Sequence, residues 1–400
     1  MQKSHYSGGT RRRNRGAAPH DRRPQKKSGA SINPHRFINK AVSIEQELPY
    51  QPQHTFHNFG LNSRTVATLD HLKFTEPSQI QDQCIPEVMA GRDVIGLANT
   101  GTGKTAAFLL PIINQLSIEP DLVSVLILAP TRELAQQIDQ EFRRFSAGQK
   151  QFSALLVGGM NIGRQIQDIK RGPHLVIGTP GRIKDLISRR ILRLQNVKTF
   201  VLDEADRMCD MGFVNDIRAI ESELNRERQT LCFSATMTNS VKSIVEEFMK
   251  NPVTVSVVKN ETNDHIDQDV IPARDKAHKI EILEEMLRTE DFSKVIIFGE
   301  TKYGVQRLAD RLSKSDLAAV AIHGNKTQGQ RDRALRQFKS GEVNIMVATD
   351  VAARGLDIPH VSHVINFDIP KQYEDYVHRI GRTGRAGQSG KALTFIQDRS

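Results

Sequence analysis

From about residue 54 onward, short apolar runs rich in β-branched residues alternate with amphipathic stretches, and few folds accept that order. Val94–Leu97, Val123–Ala129, Ala154–Val157, Leu175–Ile177, Thr199–Leu202 and Thr230–Phe233 read as strands buried on both faces. Arg132–Phe145 and Pro180–Arg189 read as helices between them. A second series follows at Val295–Phe298, Ala318–Ile322, Ile345–Ala348, His363–Phe367 and Ala392–Ile396, again separated by helical stretches. Such alternation implies parallel sheets covered by helices on both sides. The polar break Lys259–His265 divides the two series. The expected architecture is α/β, with two tandem doubly wound parallel-sheet domains at 54–258 and 271–400. Residues 259–270 are the expected linker, and the cleft between the domains is the natural ligand site.

Residues 1–53 do not share the pattern. Residues 1–40 hold 11 Lys and Arg against one acidic residue, Asp21, and so account for the whole formal net charge of +10. The basic excess therefore belongs to a tail and not to a folded surface. With few apolar side chains it cannot offset its ordering entropy by burial, and it reads as disordered. Three roles stay open for it: salt-sensitive contact with RNA phosphates, a solubilising tail, or an organelle transit peptide. No apolar run approaches the roughly 18 residues needed to cross a bilayer. Nothing near the N-terminus resembles a signal peptide, and Cys84, Cys209 and Cys232 form no CxxC pair. A reducing, cytoplasmic setting without a metal cluster or disulfide framework is the expectation.

The segments that carry chemistry sit at the ends of the expected strands. Val94–Leu97 runs into Ala98-Asn99-Thr100-Gly101-Thr102-Gly103-Lys104-Thr105, followed by a helix. Glycines there let backbone N–H groups face phosphate oxygens, and the helix N-terminus adds positive partial charge. Lys104 is expected to reach the β- and γ-phosphates, and Thr105 to face Mg²⁺. Asp203-Glu204-Ala205-Asp206 follows Thr199–Leu202. Asp203 is the expected Mg²⁺ partner, and Glu204 the residue that orients or deprotonates an attacking water. Far down the chain, His378–Arg385 interleaves arginines with glycines, a set of planar cations suited to a transferring phosphoryl group. These segments describe a nucleoside triphosphatase whose site is split between two domains.

In this order and spacing the segments resemble the DEAD-box RNA helicases, over roughly residues 54–397. The resemblance implies RecA-like domains. Phe74–Gln81 is similar to the family's Q motif, so Gln81 would read adenine and Phe56 would stack on the base. A core position is the other reading of Phe56. With Thr100, Gly101, Thr102, Gly103, Lys104 and Thr105 they would form the ATP site, joined by Asp357 of Ala348–Asp357, which resembles motif V. Pro130 and Arg132 lie in a motif Ia-like segment, Gly159 in a GG pair, and Thr179 and Arg182 in a motif Ib-like segment. With Gly324, Arg331 and Thr349 of the second domain, these would hold RNA by its backbone. Ser234 and Thr236 resemble motif III, which couples nucleotide state to RNA binding. Arg382 and Arg385 would be the arginine fingers.

The implied activity is ATP hydrolysis that drives domain closure on RNA and local separation of short duplexes, or remodelling of RNA–protein complexes. ATP and Mg²⁺ are the implied cofactors. RNA and ribonucleoproteins are the implied partners, with no membrane and a monomeric chain. An ATP-gated RNA clamp and a DNA helicase are the alternatives. Lys73 stands where the Q motif usually begins with glycine, and Asn99 where glutamine is common. The end at Ser400 fits either a minimal core or a fragment.

Overall fold

The apolar runs assemble into two sheets whose strands all run parallel. The computed structural model describes residues 37–39, 50–99, 101–116, 123–257, 266–289, 291–353, 358, 360–384 and 390–398. Thr100, Asp357 and Arg385 lie outside the described residues.

The first domain opens with α1 (Ser63–His71), α2 (Gln79–Met89), β1 (Val94–Leu97), α3 (Lys104–Gln115), β2 (Val125–Leu128) and α4 (Arg132–Phe145). It continues through β3 (Ser153–Leu156), α5 (Ile162–Lys170), β4 (Leu175–Gly178), α6 (Pro180–Ser188), β5 (Thr199–Leu202) and α7 (Ala205–Asp210). It ends with α8 (Val214–Glu221), β6 (Gln229–Ser234), α9 (Asn239–Phe248) and β7 (Val253–Ser256). The second domain begins with β8 (Ile266–Ala273), α10 (Lys276–Met286), β9 (Val295–Phe298), α11 (Lys302–Lys314) and β10 (Ala319–Ile322). Then come α12 (Gln328–Ser340), β11 (Ile345–Ala348), α13 (Asp350–Ala353), β12 (His363–Asn366), α14 (Tyr373–Ile380) and β13 (Gly390–Gln397).

The first sheet has the order β3-β4-β2-β5-β6-β1-β7, the second β10-β11-β9-β12-β13-β8. Alternate residues of a strand point to opposite faces, and the cores divide accordingly. Val125 and Ile127 of β2 join one apolar cluster, Leu126 and Leu128 the other. In β9, Val295 and Ile297 face one helical layer, Ile296 and Phe298 the other. The strand interiors are mostly apolar, and the segments expected to carry chemistry lie at or just beyond the strand ends.

The parallel register then aligns those loops. Leu97 of β1 is level with Ser234 of β6, Leu202 of β5 with Cys232 of β6, and Leu128 of β2 with Leu202 and Gly178. The segments after β1, β2, β4, β5 and β6 thus emerge along one edge, where open α/β sheets bind ligands.

Two boundaries differ from the expected ones. Residues 266–270, assigned to the linker, already belong to β8, which pairs along its length with β13. Of the expected tail 1–53, residues 37–39 pack on the second domain and 50–53 on the first, with Phe37 fully buried. Among the described residues, no helix is long and apolar enough to cross a membrane.

Lys73 is in the left-handed region, at φ 59°. It follows the C-cap of α1, where Lys73 N–H donates to Asp70 O and Phe74 N–H to Leu69 O, both at 3.0 Å. That pair of bonds is a Schellman ending, which favours glycine at this position. Lys73→Gly is expected to stabilise the chain by about 0.5–1 kcal/mol, read as a rise in the urea midpoint with unchanged slope.

Candidate nucleotide site and nucleic-acid interface

The loop after β1 satisfies itself. Gly101 and Gly103 adopt φ of 87° and 93°. Lys104, the first residue of α3, folds back so that its Nζ donates to Ala98 O at 2.5 Å and Asn99 O at 3.2 Å. Burial pushes the Lys104 ammonium below its ordinary pKa, opposed by Asp203, Glu204 and Asp206. Thr102 Oγ1 donates to Asn99 O at 2.9 Å.

The Q-like segment is bolted to this loop. Ser78 Oγ donates to Thr102 O at 2.7 Å, and Gln81 Nε2 to Gly103 O at 3.2 Å. Ser78 N–H donates to Gln81 Oε1 at 3.0 Å, which also caps α2. A Cβ at Gly103 would sit 2.3 Å from Gln81 Nε2, so only glycine allows this approach. Both ends of the Gln81 amide are therefore engaged within the protein. Phe56 differs from the stacking expectation. It is 1% exposed, in the first domain's core, with edge-on contacts to Phe59 and Phe74. Its ring faces protein, as its alternative reading as a core aromatic has it.

At the end of β5, Asp203 is 2% exposed and Oδ1 accepts from Glu204 N–H at 3.0 Å. Burial, then the neighbouring Glu204, pushes Asp203 up to about 7, against the pull of Lys104. Glu204 itself is left-handed at φ 53°. Its carboxylate accepts from Arg207 Nη1 at 2.9 Å, with both side chains buried. Asp206 faces the other way. Its Oδ2 accepts from Ala235 N–H, Thr236 N–H and Thr236 Oγ1 at 3.1, 2.9 and 3.0 Å. Ser234 Oγ donates to Thr236 O at 2.8 Å. Asp206 thus ties the Asp-Glu-Ala-Asp segment to Ser234-Ala235-Thr236.

In the second domain Arg382 is buried just beyond α14, its Nε donating to His378 O at 3.3 Å. Arg379, one turn earlier, has another job. Its Nε and Nη2 grip Asp350 at 2.6 and 2.8 Å, and its Nη1 reaches Asn366 Oδ1 and Asp368 O. It pins the motif V-like and VI-like segments together.

Pro130, Arg132, Thr179 and Arg182 from the first domain share one cavity of about 430 Å³ with Gly324 and Arg331 from the second. Gly159, at φ 75°, lies against Arg132. Thr349 is buried at the start of α13, and its neighbour Val351 lines the cavity. The two domains meet here through Glu133, which pairs with Arg331 Nη2 at 2.9 Å and accepts from Gln328 Nε2 at 3.3 Å. Arg331 Nε and Gln328 Oε1 are buried without a hydrogen-bond partner. Burial and the nearby Arg331 and Arg182 lower the Arg132 pKa, with Glu133 opposing.

Residues 78–244 match the DEAD/DEAH box helicase family and 278–387 the helicase conserved C-terminal domain. A DEAD-box ATP-dependent RNA helicase, CshA of Geobacillus kaustophilus, is 47% identical over 346 residues, 86% of this chain and 74% of that protein. The chain belongs to the DEAD-box ATP-dependent RNA helicases. CshA of Bacillus licheniformis is 46% identical and matched over 71% of its length. Among solved structures, this DEAD-box chain is similar to Saccharomyces cerevisiae Dbp5 bound to RNA and ADP BeF3, with TM-score 0.77, 32% identity, and coverage of 86% of this chain and 90% of that one. Mss116p bound to ssRNA and AMP-PNP gives 0.79 at 31% identity, covering 90% and 78%.

Four helicase-core residues with clear work here had no individual role in the sequence reading: Ser78, Glu133, Asp206 and Arg207. Asp206 had a signal, the matching hydroxyls of Ser234 and Thr236. Arg207 is an i,i+3 partner of Glu204, whereas the contacts of Ser78 with Thr102 and of Glu133 with Arg331 join segments that only folding brings together. Arg207→Met would leave Glu204 buried and unpaired, and is expected to cost about 3 kcal/mol. Adding Glu204→Gln should recover part of that loss, measured as a double-mutant cycle in denaturant.

Proposed function

We propose that the chain hydrolyses ATP at the loop after β1 and uses the resulting domain closure to hold and locally unwind RNA. The single observation that carries this reading is the shared cavity. Its cationic side chains come from both domains, and Nε of Arg331, one of its lining residues, is buried without a hydrogen-bond partner. RNA phosphates and 2′-hydroxyls offer acceptors and donors to such groups without reading sequence.

In this reading Lys104 exchanges its two loop carbonyls for the β- and γ-phosphates. Gln81, already attached to the same loop, meets the adenine edge when its amide is released from Gly103. Glu204 orients the attacking water and takes its proton, while Arg207 holds the carboxylate in place. The bond from the γ-phosphorus to ADP breaks as the water oxygen bonds to it. Thr105 and Asp203 supply hard oxygen donors, and the raised pKa of Asp203 marks a buried carboxylate short of positive charge, so the pair fits Mg²⁺. Bound there, Mg²⁺ would neutralise phosphate charge. Arg382, with Arg385, meets the transferring phosphoryl group once the domains close. Phosphate loss then frees Asp206 and Thr236 to report the empty site to the RNA surface. Cys84, Cys209 and Cys232 are free thiols, which suits a reducing, cytoplasmic setting.

Steady-state ATPase with no nucleic acid, single-stranded RNA and matched DNA tests the reading, with GTP as the nucleotide control. RNA alone should stimulate strongly, with ATP preferred; equal stimulation by DNA would point to a general nucleic-acid helicase. Lys104→Ala should abolish nucleotide binding by fluorescence titration. Arg331→Ala should weaken RNA binding on the order of tenfold, roughly 1.4 kcal/mol, with nucleotide affinity retained.

A further inference from the structure

Residues Phe37–Asn39 lie outside both family matches, yet they are docked on the second domain. Asn39 N–H donates to Gln268 O at 3.0 Å, and Gln268 N–H to Asn39 O at 2.7 Å, an antiparallel bridge on the outer edge of β8. Phe37 is fully buried among Ile266, Tyr376, Ile380 and Ala392, its ring 4.7 Å from that of Tyr376. Tyr376 Oη donates to Gln268 Oε1 at 2.9 Å, so bridge and aromatic plug share one support. Tyr376 and Ile380 belong to α14, the helix that leads into Arg382.

Eleven residues later the same chain is fastened to the other domain. Tyr50 Oη, Gln53 N–H and His54 N–H donate to the Asp82 carboxylate at 2.5, 2.8 and 3.0 Å. His54 Nδ1 lies 2.8 Å from it. Asp82 is 2% exposed and directly follows Gln81.

We propose that the edge of β8 and the adjoining pocket on α14 form a docking site for Phe37–Asn39, and that this docking, with the clasp on Asp82, straps the two domains together. Addition of an extended segment to a sheet edge is a general recognition mode: main-chain bonds give affinity and a pocket for one side chain gives specificity. It also covers an otherwise open strand edge. The chain between the anchors spans at most about 35–40 Å, so the docked state sets a ceiling on domain separation. Because the segment is tethered, its docking is intramolecular and favoured by high effective concentration. The anchors sit beside the two elements that closure must bring together, the Gln81 turn and the helix before Arg382. The functional consequence rests on the proposed helicase reading, whereas the mechanical claim does not.

The test uses the full chain with one dye on each domain, without nucleotide or RNA, and the variants Phe37→Asp and Asn39→Pro. Energy transfer should place the unmodified chain mostly in a compact state, and both variants should shift to longer distances. The Gln268 amide should lose its exchange protection in the variants while β9 and β11 keep theirs, which separates undocking from unfolding. RNA-stimulated turnover should keep its kcat while the half-saturating RNA concentration rises several-fold. Unchanged distances with a deprotected Gln268 amide would overturn the strap, as would a freely exchanging Gln268 amide in the unmodified chain. Shifted distances in a chain that RNA does not stimulate would support the strap and count against the helicase reading.

Discussion

The common parallel register of the strands is the constraint on which the rest depends. Ser234 is level with Leu97, and Leu202 with both Leu128 and Cys232. A one-residue slip in any pair would swap side chains onto the opposite face, mismatching the two apolar layers, and carry a functional loop out of line. The apolar faces on both sides therefore fix the active edge without containing any of its chemistry. This is why five segments far apart in sequence emerge along one edge of the sheet.

What meets at that edge is a set of charges held out of water. Lys104, Asp203, Glu204, Asp206 and Arg207 are all buried, and each leans on the others or on backbone groups. Buried charges are costly unless paired. Among the described residues, Lys104 is hydrogen-bonded through its ammonium to loop carbonyls, and Asp203 is pushed up by burial and by Glu204. In the proposed reading, an arriving nucleotide with its metal would supply the missing opposite charges. Asp206 is different, because its carboxylate already has three partners in the Ser234–Thr236 segment. That saturation suits a structural link and not a ligand contact. Within one tetrapeptide, then, burial and partners separate Asp203, short of opposite charge, from Asp206, whose carboxylate is saturated by the Ser234–Thr236 segment.

Much of this was legible in the sequence, and the failures have physical causes. The buried strands were visible because both their faces are apolar. β8 was not, since its opening Ile266 is followed by three polar residues, Asp267-Gln268-Asp269, at the edge of a sheet, and such a run reads as linker. Lys73 looked like a departure from a glycine, and it keeps the left-handed backbone that glycine would adopt. Phe56 could be read as stacking platform or core, and periodicity cannot separate an aromatic that waits for a base from one that packs on Phe59 and Phe74. Glu133 and Arg331 lie far apart in sequence in different domains, so no local pattern announces their pairing.

The cross-domain contacts divide into two kinds, and the division bears on how closure is controlled. Glu133 with Arg331 and Gln328 forms a polar contact inside the candidate RNA cavity, so RNA entering there competes for the same cations. Such a contact can hold the domains near each other only until the ligand replaces it. The anchors at Phe37–Asn39 and Tyr50–His54 lie away from that cavity, on the β8 edge with α14 and on the start of α2 at Asp82. RNA has no reason to displace them. One link is therefore exchangeable and reports ligand, whereas the other persists through the cycle and limits how far the domains part. A chain built this way need not find its second domain by free diffusion after each hydrolysis event, because the loss of nucleotide loosens only the contacts that nucleotide and RNA had made.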